Sequence, residues 1–496
     1  MTGGNDVSLL LAAAITVAAP LIGAAAMAIG LHRGSPRRFA VAVAGVSLLG
    51  SLAITMLWSK TEGSPLVFGD RVGGGRFVCI DGITAVLLPY VALVEMAILL
   101  VAPRRALEQS SVSRILFGAA ATFALFLTSH PLMLVVLWCA TAVPTWQSVR
   151  STPGGGEAAR VFAIAMSVAM VCMAVGTALL VVDPPWADAP GWAGTAGGWM
   201  VAIAVMIRKG IFPFHSWYPA LFSGATMATA LAATMPQVAS YTAVRLLIGH
   251  VDHPEGVATE LVVLSQMAMV TATYGAALSI VQRDLRGLIG TLAMSQSAMV
   301  LAGLAGTLPM ELDGAFCVWV SSGLAITGIG LVTWALESRA GSIRLDTPQG
   351  RFWDAPALAG FFLLFGLAGI GLPGTLSFVA DDLIVSGTLD DHLYAGLLVI
   401  AATVLGGIAM MRGWFHVFGG PVAADGPRHA ILPRERVALT GLLAMLFLLG
   451  VWPDPMVRAL DRATERLLGV ATQEAAPGAA HAPDAAAGLQ DSPHGS

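Results

Sequence analysis

The chain is 496 residues long, 56% hydrophobic and 11% charged, with a mean hydropathy of +0.78. Soluble domains run nearer ~45–50% apolar and ~25% charged, so a soluble globular protein and a large hydrophilic catalytic domain are both excluded. The net charge of −4 argues against a nucleic-acid partner. Four dispersed cysteines (Cys79, Cys139, Cys172, Cys317) with no CxxC pair argue against a metal cluster, a redox centre or a disulfide framework.

A spanning helix needs about 20 mostly apolar residues. Fourteen of them would take roughly 280, close to what 56% of this chain supplies. Apolar runs bounded by charges, Pro and Gly predict fourteen helices. They lie near 8–31, 39–58, 82–103, 113–129, 131–149, 158–183, 197–214, 221–248, 257–281, 286–307, 311–337, 355–385, 391–417 and 436–453. The first run has no cleavage site before it and is long enough to span, so it reads as a retained helix.

If the count is right, Lys and Arg should gather on alternate loops. Of the 26 basic residues, 19 fall on odd-numbered loops, from Arg33, Arg37 and Arg38 through Arg208 and Lys209 to Arg428, Arg434 and Arg436. The even loops carry Lys60, Arg71 and Arg76 in one loop and otherwise mostly acids such as Asp183, Asp188, Asp252 and Asp313. This predicts a multi-pass protein of a bacterial cytoplasmic (inner) membrane with both termini on the non-cytoplasmic side.

Two spans are interrupted, helix 7 at Ile211-Phe212-Pro213-Phe214-His215 and helix 12 at Gly371-Leu372-Pro373-Gly374. Such residues free backbone groups that lipid cannot satisfy, so breaks occur where protein or water takes over. Their five-helix separation predicts two inverted repeats with a path at the breaks; isolated prolines that merely kink a helix are the alternative. The predicted organisation is 1–112, helices 1–3; 113–248, first repeat; 257–417, second repeat; 418–455, a C-terminal helix; and 456–496, a disordered tail of low complexity. His481 and His494 in that tail are too far apart to suggest a metal site.

Residues 208–245, from Arg208-Lys209-Gly-Ile-Phe-Pro213-Phe-His215-Ser-Trp217 through Tyr241-Thr-Ala-Val-Arg245, resemble the antiporter-like membrane subunits of respiratory complex I. The same family includes subunits of Mrp antiporters, membrane-bound hydrogenases and inorganic-carbon accumulation complexes. Asp81-Gly82, Asp284-Leu285-Arg286 with Ser295-Gln296, and Gly371-Leu372-Pro373-Gly374 leading to Asp381 resemble further family segments in the same order. The resemblance runs from about residue 78 to 415. It implies an all-α fold of fourteen spans, two inverted five-helix repeats and broken helices 7 and 12.

The resemblance also implies proton movement along buried Lys–Glu pairs, since desolvation brings such groups into a reachable titration range. This sequence departs from that pattern. The family's helix-5 glutamate falls on Cys139, its helix-7 lysine on Arg208, its helix-8 lysine on Gln237 and its helix-11 lysine near Ala325. Arginine effectively never releases its proton, so Arg208 is an electrostatic switch or an anchor rather than a relay. Lys209 can titrate, but one helical residue turns it about 100° away.

The remaining candidates for an ion path are Glu95, His215, Asp381 and Asp382, and each keeps two readings. Glu95, mid-span in helix 3, is a proton-binding acid or one merely hydrogen-bonded in the bundle or facing a partner subunit. Asp381 and Asp382, after the helix-12 break, bind a proton or cation or face outer-side water. His215 shuttles protons or bonds carbonyls freed by the break. Gln237, Gln296, Ser321, Ser322 and Thr327 line a hydrated path or hold helices together.

The leading expectation is a proton-translocating, or cation/proton antiporter-like, membrane subunit of a multi-subunit complex, with no active site and no cofactor of its own. It would be the ion-translocating part of an NADH:quinone oxidoreductase-like translocase. The alternative is a non-conducting scaffold of the same fold, as in an inorganic-carbon accumulation complex. Expected partners are the lipid bilayer, other membrane subunits, and a soluble redox or zinc-dependent protein.

Overall fold

The computed structural model describes residues 3–31, 34–61, 64–69, 75–103, 106–183, 191–248, 259–304, 309–391, 393–421 and 430–467. Loop positions Arg33, Arg71, Asp188, Asp252 and Arg428, and the tail histidines His481 and His494, lie outside these. After α1 (Gly3–Ala28) and α2 (Pro36–Trp58), a short antiparallel pair, β1 (Leu66–Phe68) and β2 (Val78–Ile80), leads into α3 (Gly82–Val101). There follow α4 (Gln109–Phe126), α5 (Pro131–Ser151), α6 (Gly156–Val182) and α7 (Trp192–Lys209). Three short helices come next: α8 (Trp217–Gly224), α9 (Met227–Thr234) and α10 (Val238–Leu246). The second half holds α11 (Thr259–Ile280), α12 (Leu285–Leu304), α13 (Pro309–Ala340), α14 (Pro356–Ala368), α15 (Leu376–Asp391), α16 (Leu393–Phe418), α17 (Pro433–Val451) and α18 (Asp454–Leu467).

Burial sorts these helices into a centre and a jacket. The most apolar stretch of α13 is entirely buried and that of α12 94% buried, whereas α2 buries 28% of its own and leaves the rest facing outward. Apolar side chains on an outer face suit a lipid surround. Among the described residues, nine helices are each long and apolar enough to cross a membrane, ten if α17 and α18, bent by 73°, count as one.

Ion pairs tie the helix ends together. Arg286 holds Glu337 (2.7 Å), joining α12 to α13, and Arg339 holds Glu435 (2.6 Å), joining α13 to α17. Arg245 of α10 holds Asp81 (2.6 Å), the residue that caps α3 by accepting from Thr84 N.

Two expectations need correction. The stretch 221–248 is not one helix. Thr226 opens a new one, its hydroxyl accepting from Thr229 N (3.2 Å), and the chain breaks again at Pro236-Gln237. Pro236 has no N–H to continue the ladder, and Gln237 sits in the left-handed region (φ 51°). The tail is not disordered from residue 456 either, because α18 runs to Leu467. Its Met456, Leu460 and Ala463 are buried on one face, and Thr464 Oγ1 donates to Asp313 Oδ1 of α13 (3.0 Å).

Candidate functional site

The chain leaves helical geometry at 210–216 and again at 369–375, where the Gly-Pro patterns lie. In the first break, Gly210 takes a left-handed conformation (φ 68°) that ends α7. The groups it frees are satisfied: Phe212 N donates to Thr271 Oγ1 (3.0 Å) and Trp217 Nε1 to Ile207 O (2.7 Å). The break in 221–248 is closed similarly, Tyr90 Oη donating to Met235 O (2.7 Å). Tyr90 reaches it across Gly323, where any side chain would collide with the phenol.

Arg208 and Lys209 form the last turn of α7, where the helix dipole favours cations. Lys209 is 2% exposed. Its Nζ donates to Gln237 Oε1 and to Ser240 Oγ (2.8 Å), both on the far side of the Pro236 break. Arg208 turns the other way, to α5. It donates to Trp138 O (2.8 Å) and Thr141 Oγ1, and its guanidinium carbon lies 4.4 Å from the Trp138 ring centroid. The 100° between neighbouring residues therefore sends the two cations to opposite walls of one space.

That space is a cavity of about 70 Å³ lined by Glu95, Thr122, Thr141, Arg208, Lys209, Gln237 and Ser297 among others. Glu95 is 7% exposed, and its Oε1 has no hydrogen-bond partner among the described residues. Arg114 also lines it, bonded to Ser148 Oγ (3.2 Å) and Ser151 Oγ (3.2 Å) near the C-terminus of α5. Among the described residues, no carboxylate lies within 4.0 Å of Arg114, Arg208 or Lys209. A room of this size holds several waters.

The remaining candidates sit elsewhere. His215 is outside the cavity, its Nε2 3.5 Å from Tyr274 Oη and its Nδ1 buried without a partner. Asp381 is half-buried on α15 against Gly371, with no ion-pair partner among the described residues, and Asp382 is exposed. A second, smaller cavity of about 20 Å³ lies between α12, α13, α14 and α16, with Gln296 and Ser322 as its polar lining and Ala325 beside them. It contains no ionisable residue. Ser321 and Thr327 are buried nearby on α13 without lining it.

Three contributors escaped the sequence reading. Arg114 lies on α4, and nothing in the sequence sets it apart from the other basic residues as facing a cavity. Ser240 follows Gln237 by three residues, the spacing that puts both on one helical face. Thr141 belongs to the apolar run of α5 and gives no local signal.

The family model described as NADH:quinone oxidoreductase/Mrp antiporter, TM, matches residues 156–406. NADH-quinone oxidoreductase subunit M of Mycobacterium tuberculosis is 29% identical over 288 residues, 57% of this chain. That match spans 51% of the relative, about half its length. F(420)H(2) dehydrogenase subunit M of Methanosarcina mazei is 24% identical over 465 residues, covering 86% of this chain and 93% of the relative. Among solved structures, a chain of respiratory complex I from Thermus thermophilus superposes with a TM-score of 0.82 at 21% identity, covering 92% of this chain and 100% of that one. That likeness shows a shared fold.

Proposed function

The chain belongs to the NADH:quinone oxidoreductase/Mrp antiporter transmembrane family, and from that premise we propose that it is a proton-translocating membrane subunit of a multi-subunit complex. One observation carries the reading: Lys209 and Glu95, two buried groups able to exchange protons, line the same polar cavity without being locked to each other in an ion pair. An ionisable pair fixed at contact distance holds its protons; two separated by a hydrated gap can pass them through water. Lys209 holds or releases the proton, with Gln237 and Ser240 steering its ammonium. Glu95 exchanges with it across the cavity. Arg208 keeps its charge and sets the local field.

Asp381 continues the path beyond the second break, and Asp382, exposed beside it, faces the surroundings. His215, outside the cavity, belongs to the wall of the first break. Fourteen spans follow if α7 with α8, α9 with α10, and α14 with α15 each count as one broken crossing and the charged α18 is not counted as a span. The repeats then occupy 113–248 and 257–417. The chain sits in a bacterial inner membrane with both termini on the non-cytoplasmic side, beside other membrane subunits and a soluble redox or zinc-dependent partner that supplies the chemistry.

The competing reading, a non-conducting scaffold, draws support from the second half, whose small cavity has no ionisable lining. The test is proton uptake by proteoliposomes holding the intact complex. Lys209→Met is expected to lower coupled proton movement with assembly unchanged. Unchanged coupling in Lys209→Met and in Glu95→Gln would leave the scaffold.

A further inference from the structure

The cavity at the end of α7 is unbalanced in charge. Arg114, Arg208 and Lys209 line it, against one acid, Glu95. The partners of the three cations are all neutral: serine hydroxyls for Arg114, a carbonyl, a hydroxyl and an indole ring for Arg208, an amide and a hydroxyl for Lys209. Neutral acceptors satisfy N–H donors but leave the charges of Arg208 and Lys209 uncompensated, while Glu108 acts on Arg114 from beyond ion-pair distance. The guanidinium keeps its proton, and an uncompensated charge inside a low-dielectric bundle is costly.

We propose that this cavity binds a small monovalent inorganic anion between Arg208 and Lys209, drawn in past Arg114. The geometry selects the class of ligand. A volume of about 70 Å³ takes a halide or a small oxyanion with a few waters and is too small for an aromatic or long-chain acid. Thr122, Thr141, Thr145 and Ser148 form a ladder of hydroxyls on α4 and α5, between Arg114 and Arg208; the three threonines donate to carbonyls of their own helices, so the donors that face the ion are those of Arg114, Arg208 and Lys209. Arg114 and Thr122 are eight residues apart on one helix, a rise of about 12 Å, so the ladder runs from the helix ends toward the centre of the bundle. The anion serves as the counter-charge that the protein itself does not place beside Arg208. The proposal does not rest on the proton-translocating reading, because Arg208 keeps its charge whichever of Lys209 and Glu95 holds the proton.

The experiment is thermal unfolding of the purified intact complex in sodium gluconate, titrated with sodium bromide at constant ionic strength. Wild type is expected to show a saturable rise in Tm. Arg208→Gln should weaken the apparent bromide affinity about tenfold or more, the scale of one lost charge-assisted hydrogen bond. Arg208→Lys, which keeps a cation at that place, should retain more of it than Arg208→Gln does. Arg344→Gln, at an exposed arginine paired with Asp346, should leave it unchanged. If Arg208→Gln fails to assemble, ligand size in the wild type decides: benzoate, too large for the cavity, should give no saturable rise where bromide does. The proposal is overturned by a wild-type Tm indifferent to bromide, by an equal response to benzoate, or by a bromide affinity that an assembled Arg208→Gln leaves unaltered.

Discussion

Arg245 grips Asp81 with both ends of its guanidinium, Nη1 on Oδ2 at 2.6 Å and Nη2 on Oδ1 at 3.0 Å, across 164 positions of chain. The same arginine donates to Thr84 Oγ1 and lies over the Tyr241 ring. The pair fastens the start of α3, which carries Glu95, to the end of α10, which carries Ser240. The two walls of the cavity are therefore held in register from one membrane face.

Removing one partner of a buried pair strands the other's charge, a loss of about 3–5 kcal/mol. Arg245→Met is accordingly expected to reduce the yield of assembled complex sharply, as measured by size-exclusion chromatography after solubilisation. The double variant Arg245→Met with Asp81→Leu should recover a good part of it, because no lone charge remains. Burial alone would raise the Asp81 carboxyl; Arg245 and Thr84 outweigh it and hold the group below its usual range. A group lowered on folding contributes stability above its unfolded value, ~3.9, and loses it only as pH falls through the folded one. Wild-type stability should thus be insensitive to this group between about pH 5 and 8.

Gln237 offers a graded test of the lysine. Gln237→Leu removes one of two acceptors for the Lys209 ammonium and leaves Ser240 in place. The expected result is a partial loss of coupled proton uptake, smaller than that of Lys209→Met, with the double variant no worse than Lys209→Met. Full coupling in Gln237→Leu would mean that the amide only pins the break.

The helical character, the breaks at Pro213 and Pro373 and the outward apolar faces were legible in sequence, because lipid demands long apolar runs and punishes free backbone groups. The third break was not. Pro236 alone is compatible with a kink, and nothing in a one-dimensional reading says that Gln237 takes a left-handed backbone while Tyr90, 145 positions earlier, covers the carbonyl of Met235. The helix α18 was hidden for a related reason, its apolar stripe being three residues on an otherwise charged segment. Lys209 and Arg208 were legible as candidates but not as a pair facing one cavity. Residues 100° apart point to different neighbours, and only the packing of α5 against one side and α10 against the other makes those neighbours walls of a single space.

The two helix-12 aspartates are separated by exposure. Asp381 is half-buried against the Gly371 turn, while Asp382 is open to the surroundings. Asp381→Asn is expected to lower coupled proton uptake, and Asp382→Asn to leave it within about twofold, both measured in the intact complex at equal assembly. Equal losses would place both on the path; no loss in either would end the path before α15.

His215 distinguishes a shuttle from a wall. A histidine that relays protons needs a partner on each side, and here the ring faces the Tyr274 hydroxyl at the edge of hydrogen-bond range, stacks on Phe212, and buries Nδ1 with nothing to receive or give a proton. Phenylalanine preserves the ring contacts and abolishes titration. His215→Phe should therefore retain coupled proton uptake within about twofold at every pH measured. Tyr274→Ala, which removes the packing as well, should reduce assembly more than His215→Phe does. A pH profile that flattens in His215→Phe would instead return this ring to the proton path, since loss of packing does not remove a titration.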